Sequence, residues 1–153
     1  MANVGLRFTN KCFTFVVVDG KFTNPTLVFN QRVKFPKNFS RPLEIAWLYK
    51  ELIALISSYE VDAICIKGME PYAQKNSLPA VHRIENEALS FLVAANNGIE
   101  SIERIVDATV ATKFKLEARS KRSQAYEICL EKFDKTIDDN TKDAILAAWI
   151  RLT

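Results

Sequence analysis

The sequence predicts one α/β domain over residues 1–153. Its central sheet is predicted to be mixed, with antiparallel hairpins first and parallel strands after them, and helices are predicted on both faces of the sheet. Two patterns predict this class. Runs of β-forming residues joined by short turns fill the amino-terminal part, and helical apolar periods then alternate with short apolar runs. A chain of 153 residues also favours a single core, because two smaller domains would each be marginally stable.

The amino-terminal part is predicted to be a meander of strands. Residues 4–8 and 12–18 are β-rich and are separated by the hairpin-length connection 9–11. Beyond the Asp19-Gly20 turn, the runs 26–29 and 32–35 extend the meander. Phenylalanines recur at strand spacing and are predicted to build the core or a dimer face: Phe8, Phe13, Phe15, Phe22 and Phe29.

Helices and strands are predicted to alternate next. Ser40 is expected to cap a helix whose apolar residues recur three or four positions apart, at Ile45, Leu48, Leu52, Leu55 and Ile56. The apolar run 61–66 predicts a strand buried on both faces. A second helix, ended by Asn97-Gly98, is predicted to turn one apolar face toward the core: Val81, Ile84, Ala88, Phe91, Leu92 and Ala95.

The carboxyl-terminal part is predicted to contain one strand and three helices. The strand covers 102–106, and a short helical stretch starts near Thr109. After a basic segment that ends near Ser120, apolar spacing marks a helix around Ala125, Cys129 and Phe133. Asn140 is the predicted cap of the last helix, from Lys142 to about Arg151, with Asp143 in its first turn.

Composition excludes several chemistries. The four glycines are never adjacent, so the chain has no glycine-rich loop that could bind a phosphate. It has one histidine, and its three cysteines lack the paired spacing of metal ligands, so no zinc site and no cofactor are predicted. Widely spaced Cys12, Cys65 and Cys129 predict reduced thiols in the cytoplasm. No run approaches the about 20 apolar residues of a membrane span, and a signal peptide is not expected. The net charge of +3 permits an anionic partner.

Short motifs follow one another from about Val61 to the carboxyl end. They are Val-Asp-Ala-Ile-Cys-Ile-Lys at 61–67, Gln-Lys-Asn at 74–76, Val-Ala-Thr-Lys at 110–113, Ser-Lys-Arg-Ser-Gln at 120–124 and Asp-Ala-Ile-Leu-Ala at 143–147. Their order and spacing resemble those of the RuvC family of Holliday-junction resolvases, and Gly-Leu-Arg-Phe at 5–8 resembles that family's first strand. The resemblance implies a ribonuclease H-like fold.

The resemblance also implies a degenerate catalytic site. The family cleaves phosphodiesters with two metal ions held by four carboxylates. The matching positions here hold Arg7, Lys67, Asn140 and Asp143, so Asp143 is the sole retained carboxylate. Two cations repel divalent metals, and one carboxylate with one amide supplies too few oxygen ligands for Mg²⁺. We therefore expect no bound metal, and salt bridges from Arg7 and Lys67 to Asp143.

The leading functional prediction is a binding protein. Its partner would be structured nucleic acid, such as branched DNA, or a protein that acts in nucleic-acid processing. The segment 113–122 carries five cations against the single acid Glu117. The resemblance implies that its lysines, with neighbouring polar residues, face phosphates. The predicted contacts are Lys113, Lys115, Lys121, Arg122, Gln124 and Lys75. A solvated basic loop is the alternative for this segment, and a second basic run, Arg32, Lys34, Lys37 and Arg41, is predicted to be plain surface.

Two other functions stay open. A rearranged site that recruits Asp19, Glu70 or Asp139 would make the protein a divergent Mg²⁺-dependent endonuclease. A structural subunit would use the fold for protein contacts alone. The family dimerises through the long helix that residues 81–95 resemble, so a homodimer is expected, with Leu89 and Val93 as its apolar seam.

Overall fold

The computed structural model describes residues 2–70, 76–117, 119–134 and 136–153. These residues form five strands and five helices: β1 Ala2–Phe8, β2 Cys12–Lys21, β3 Asn24–Lys34, α1 Arg41–Ser57, β4 Val61–Lys67, α2 Leu78–Asn96, β5 Ser101–Ile105, α3 Asp107–Phe114, α4 Lys121–Lys132 and α5 Asp139–Trp149. Within these ranges, none of the helices combines the length and apolar character needed to cross a membrane.

The strands form one mixed sheet in the order β3-β2-β1-β4-β5. Strand β1 pairs antiparallel with β2, which pairs antiparallel with β3. Parallel pairing joins β1 to β4 and β4 to β5. The predicted mixed sheet is confirmed, and the two predicted runs beyond Gly20 are one long strand, β3. The carboxyl ends of β1, β4 and β5 therefore share one edge of the sheet with the start of β2 and the end of β3.

The two faces of the sheet carry separate cores. One face packs against α1 and α2, with Phe8, Phe13 and Phe15 fully buried between the layers, which confirms their predicted role. The other face packs against α3, α4 and α5. Helix α5 lies so close to β1 that a Cβ at Gly5 would collide with the carbonyl oxygen of Ala144. Only glycine at position 5 permits this approach.

The predicted orientation of α2 is wrong. Its buried face carries Ala80, Asn86, Glu87, Ser90, Val93 and Ala94. The apolar residues assigned to the core instead face outward, with Val81 38%, Phe91 39% and Leu92 52% exposed. Val93 is fully buried and Leu89 packs against the core, so these two residues do not form an outward seam. Apolar periodicity misassigned this helix because ion pairs satisfy polar side chains on its inner face.

The start of α5 also differs from the prediction. Asp138 is the N-cap, because its side chain accepts a hydrogen bond from the backbone N–H of Thr141 at 2.9 Å. Asn140 thus lies inside the first turn, and Asp143 falls in the second turn, buried against the sheet. A surface position in the first turn, where only the helix dipole would stabilise Asp143, is therefore excluded.

Candidate functional site

Asp143 lies where α5 crosses the end of β1, and its side chain is 1% exposed. Its Oδ2 is 3.1 Å from Nε of Arg7 on β1 and 3.2 Å from a terminal nitrogen of Arg122 on α4. The hydroxyl of Tyr126 donates to Oδ1 at 2.8 Å. The Arg7 contact is an ion pair without the alignment of a hydrogen bond. The expected salt bridge between Arg7 and Asp143 is confirmed.

These partners neutralise a carboxylate that is removed from water. A buried charge is tolerated when it is paired and hydrogen-bonded, and Asp143 has two guanidinium groups and one hydroxyl. Burial and the charge of Asp143 raise the pKa of Tyr126, so the phenol stays a proton donor. Burial opposes the charged form of Arg122, but the charge of Asp143 and the contact with Tyr126 raise its pKa.

Lys67, at the end of β4, is paired with two other carboxylates. Its Nζ lies 2.9 Å from Oδ1 of Asp107 and 3.1 Å from Oε1 of Glu70, and the side chain is 3% exposed. The expected bridge from Lys67 to Asp143 is therefore wrong, since acids from two flanking segments reach the ammonium group. Burial opposes ionisation of Asp107, but Lys67 nearby and Arg122 at longer range lower its pKa.

A third buried carboxylate belongs to Glu87 on α2. Its side chain, 1% exposed, lies 3.0 Å from Nε of Arg83 and 2.7 Å from Nε of Arg104. Arg83 also donates to the backbone carbonyl of Lys67 at 3.2 Å, as Arg7 does at 3.1 Å. Burial and the charge of Arg7 lower the pKa of Arg83. Sequence reasoning missed this group, although the (i, i+4) spacing of Arg83 and Glu87 is a recognisable signal.

The side chains at this edge do not fit a pair of metal ions. Arg7 and Lys67 place cations among the carboxylates, and Asn140 offers an amide at most. No group of three or more metal-ligating side chains is found in the described parts of the chain. The acids proposed for a rearranged site do not assemble, because Glu70 pairs with Lys67 and Asp139 with Lys142. Asp19 lies toward the other end of β2.

The residues predicted to contact phosphates are divided between two ends of the molecule. Lys121 and Arg122 begin α4 beside Asp143, and Arg122 is 49% exposed. The Nζ of Lys113, by contrast, lies 5.2 Å from the ring centre of Phe22, which packs on Trp149 at the far end of α5. Lys115 ends α3, exposed and with a left-handed backbone, and Gln124 donates to the carbonyl of Arg119. Lys75 lies outside the described residues.

Comparison with solved structures identifies the class of fold, whereas no family model and no curated protein matches the chain. RuvC of Thermus thermophilus matches with a TM-score of 0.82 at 13% identity, over 98% of this chain and 92% of that chain. The same protein in complex with a Holliday junction substrate matches with a TM-score of 0.77 at 12% identity, over the same shares. The yeast mitochondrial Holliday junction resolvase Ydc2 matches with a TM-score of 0.67 at 11% identity, over 97% of this chain and 77% of that chain.

The chain therefore has a RuvC-like, ribonuclease H-like fold, as the sequence predicts. At these identities the likeness establishes architecture, and the function of this chain has to be argued from its own residues.

Proposed function

We propose that this protein binds branched DNA without cleaving it, and that its own cations occupy the positions where a resolvase of this fold would hold metal ions. The observation that carries this proposal is the contact of 3.1 Å between Arg7 and Asp143, whose carboxylate is 1% exposed. Lys67 likewise forms ion pairs with Asp107 and Glu70.

The energetics support a site that excludes metal. A divalent ion that approached Asp143 would have to displace the guanidinium of Arg7 from a buried carboxylate. The displaced cation would remain beside the ion, because Arg7 is 13% exposed and is held by the carbonyls of Lys67 and Gly68. Such a buried, unpaired charge is strongly unfavourable.

Binding of a junction is supported by fold and charge together. The same fold is seen in T. thermophilus RuvC bound to a Holliday junction substrate. The present chain has a net charge of +3 and exposes about half of Arg122 beside the site. Phosphate contacts require positive charge and reach, and they do not depend on a metal or on catalysis.

A homodimer formed through α2 completes the proposal. Phe91 and Leu92 expose 39% and 52% of their surface near the end of this helix, and Leu78 exposes 66% at its start. Exposed apolar side chains of this kind are available for an interface. We place the second copy on this outward face, which replaces the seam expected at Leu89 and Val93.

The three cysteines are free and buried, which agrees with the cytoplasmic location predicted from the sequence.

The direct test combines binding and cleavage on one substrate. A labelled four-way junction is titrated with protein at several salt concentrations, and the strands are then analysed after incubation with Mg²⁺ or Mn²⁺. We expect a protein–DNA complex with intact strands. Metal-dependent cleavage that disappears in Asp143→Asn would contradict the proposal.

A matched pair of variants tests where the junction binds. Lys121→Gln removes a charge beside the site, and Lys113→Gln removes one at the far end of α5. We expect the first to flatten the log–log salt dependence by about 0.9 and the second to leave it unchanged, because each lost phosphate contact changes the slope by about that amount. Equal effects of the two variants would place the DNA elsewhere on the surface.

A further inference from the structure

A second basic surface opens at the end of the hairpin formed by β2 and β3. A cavity of about 550 Å³ lies where β2 begins and β3 ends. Its wall includes four cations: Lys11, Arg32, Lys34 and Lys37. We call this set the hairpin pocket. Phe35 and Pro36 supply apolar wall, and Glu44 is the acid at its margin.

The lysines of the hairpin pocket keep charge that no ion pair neutralises among the described residues. Glu44 is bound by Arg41 at 2.6 Å, so it is already committed to another cation. Within the described ranges, no carboxylate forms an ion pair with Lys11, Lys34 or Lys37. Nε of Arg32 donates to the sulfur of Cys12 at 3.3 Å, which holds the guanidinium in place while the residue remains exposed. Concave surfaces lined by one sign of charge attract counter-ions strongly.

The sheet register places the hairpin pocket beside the candidate site. Arg7 on β1 lies opposite Thr14 on β2, and Thr14 lies opposite Arg32 on β3. These three residues form one row across the sheet, on the face that α5 covers. With neighbouring strands about 4.8 Å apart, the backbones of Arg7 and Arg32 are separated by about 10 Å. Arg122 lies toward the β5 side, since it is in the first turn of α4, which packs against α3, the helix that follows β5.

We propose that the hairpin pocket binds the phosphates of a second duplex arm of the branched DNA whose first arm lies along Lys121 and Arg122. This inference rests on the proposed function and specifies how the junction is distinguished from linear DNA. The two basic surfaces flank the buried ion pairs on opposite sides, so two arms that diverge from a branch point can contact both. An arm that ends at the branch point contacts the basic surface on its own side, so a second arm is needed to contact the other surface. The contacts are to phosphates, so they are independent of base sequence.

Matched charge variants test the second arm. The pocket variant is Lys11→Gln/Lys34→Gln/Lys37→Gln. Its control, Lys21→Gln/Lys50→Gln/Lys132→Gln, removes the same charge from exposed residues at the other end of β2, on α1 and at the end of α4. We expect the pocket variant to bind a labelled four-way junction at least tenfold more weakly than the control. Its log–log salt slope should be flatter by about 2.7, or about 0.9 for each lost contact. On a short linear duplex the two variants should differ little.

Lysine footprinting gives a second measurement that does not depend on the variants. Acetylation of the wild-type protein with and without junction DNA should show protection of Lys34 and Lys37, with Lys21 and Lys50 equally modified in both samples. Unprotected pocket lysines in a saturated junction complex would overturn the second-arm inference, as would a pocket variant that binds the junction as the control does.

The failure of this inference is distinguishable from failure of the proposed function. If Lys121→Gln weakens junction binding and the pocket variant does not, the second-arm inference is wrong and the proposed function stands. Equal losses by the pocket variant on junction and linear duplex overturn the two-arm geometry alone. Wild-type protein without affinity for a junction at low salt contradicts the proposed function, and the second arm with it.

Discussion

Nε of Arg7 lies 3.1 Å from Oδ2 of Asp143, where β1 passes beneath α5. The contact depends on a residue that takes no part in it. Gly5, two positions before Arg7, lets α5 approach so closely that any side chain there would strike the carbonyl oxygen of Ala144, the residue after Asp143. A cation on the strand and an acid on the helix are thus brought together by a backbone contact between two small residues.

Asp143→Asn should destabilise the protein. The change leaves the side-chain shape intact but removes the charge that Arg7 and Arg122 share, and breaking a buried pair typically costs about 3 kcal/mol or more. Urea unfolding measures the free-energy difference. Asp139→Asn is the control, because Asp139 is 68% exposed in its pair with Lys142 and surface pairs contribute at most about 1 kcal/mol. A site built to bind metal predicts the opposite result, since removing one of several crowded carboxylates relieves repulsion.

Low pH should reduce the contribution of Asp107 to the free energy of unfolding. Burial opposes its charged form, but Lys67 lowers its pKa below the usual value, so the folded state releases the proton more readily than the unfolded chain. The stabilisation is therefore present above about pH 4, near the unfolded pKa, and is lost as the pH falls through the folded pKa. Free energies of unfolding for wild type and Asp107→Asn should differ near neutrality and converge in strong acid. A difference that stays constant across this pH range would show that Asp107 stabilises the fold without its charge.

Restoring carboxylates should create affinity for metal. The variant Arg7→Asp/Lys67→Glu/Asn140→Asp replaces two cations and one amide with acids on β1, β4 and α5. Carboxylate oxygens are the ligands that divalent ions prefer. We expect Mn²⁺ to raise the Tm of this variant and to leave that of the wild type unchanged, because ligands stabilise the state that binds them. If Mn²⁺ stabilises the wild type to the same extent, Arg7 and Lys67 do not exclude metal.

Phe91→Glu/Leu92→Glu should convert the proposed dimer into a monomer. The two side chains are 39% and 52% exposed on the outward face of α2, so their replacement places charge at an interface without disturbing the core. Sedimentation equilibrium measures the mass. Leu43→Glu is the matched control on α1, where the leucine is 58% exposed and belongs to a different helix from Phe91 and Leu92. A wild-type protein that is monomeric at high concentration would refute this arrangement.

The sequence by itself determined the order and type of the elements, the mixed sheet and the pairing of Arg7 with Asp143. Strand alternation, helical spacing and turn residues are local signals, and the local backbone follows them. The RuvC-like motifs added the tertiary correspondence that local signals lack, and the structural comparisons confirm the fold they imply. Boundaries were less predictable: α5 starts at Asp139 because Asp138, rather than Asn140, supplies the capping oxygen.

Only the tertiary structure decided which face of α2 is buried, which acids reach Lys67 and which basic residues lie near Asp143. Glu87 is buried because Arg83 and Arg104, from α2 and β5, meet it there. Lys113 is carried away from the site by the direction of α3, whereas Arg32 is brought toward it by the strand register. In each case at least one deciding partner lies on another element, as Arg104 does for Glu87 and Asp107 for Lys67. The free energy of a buried polar group depends on that partner, so local periodicity cannot specify it.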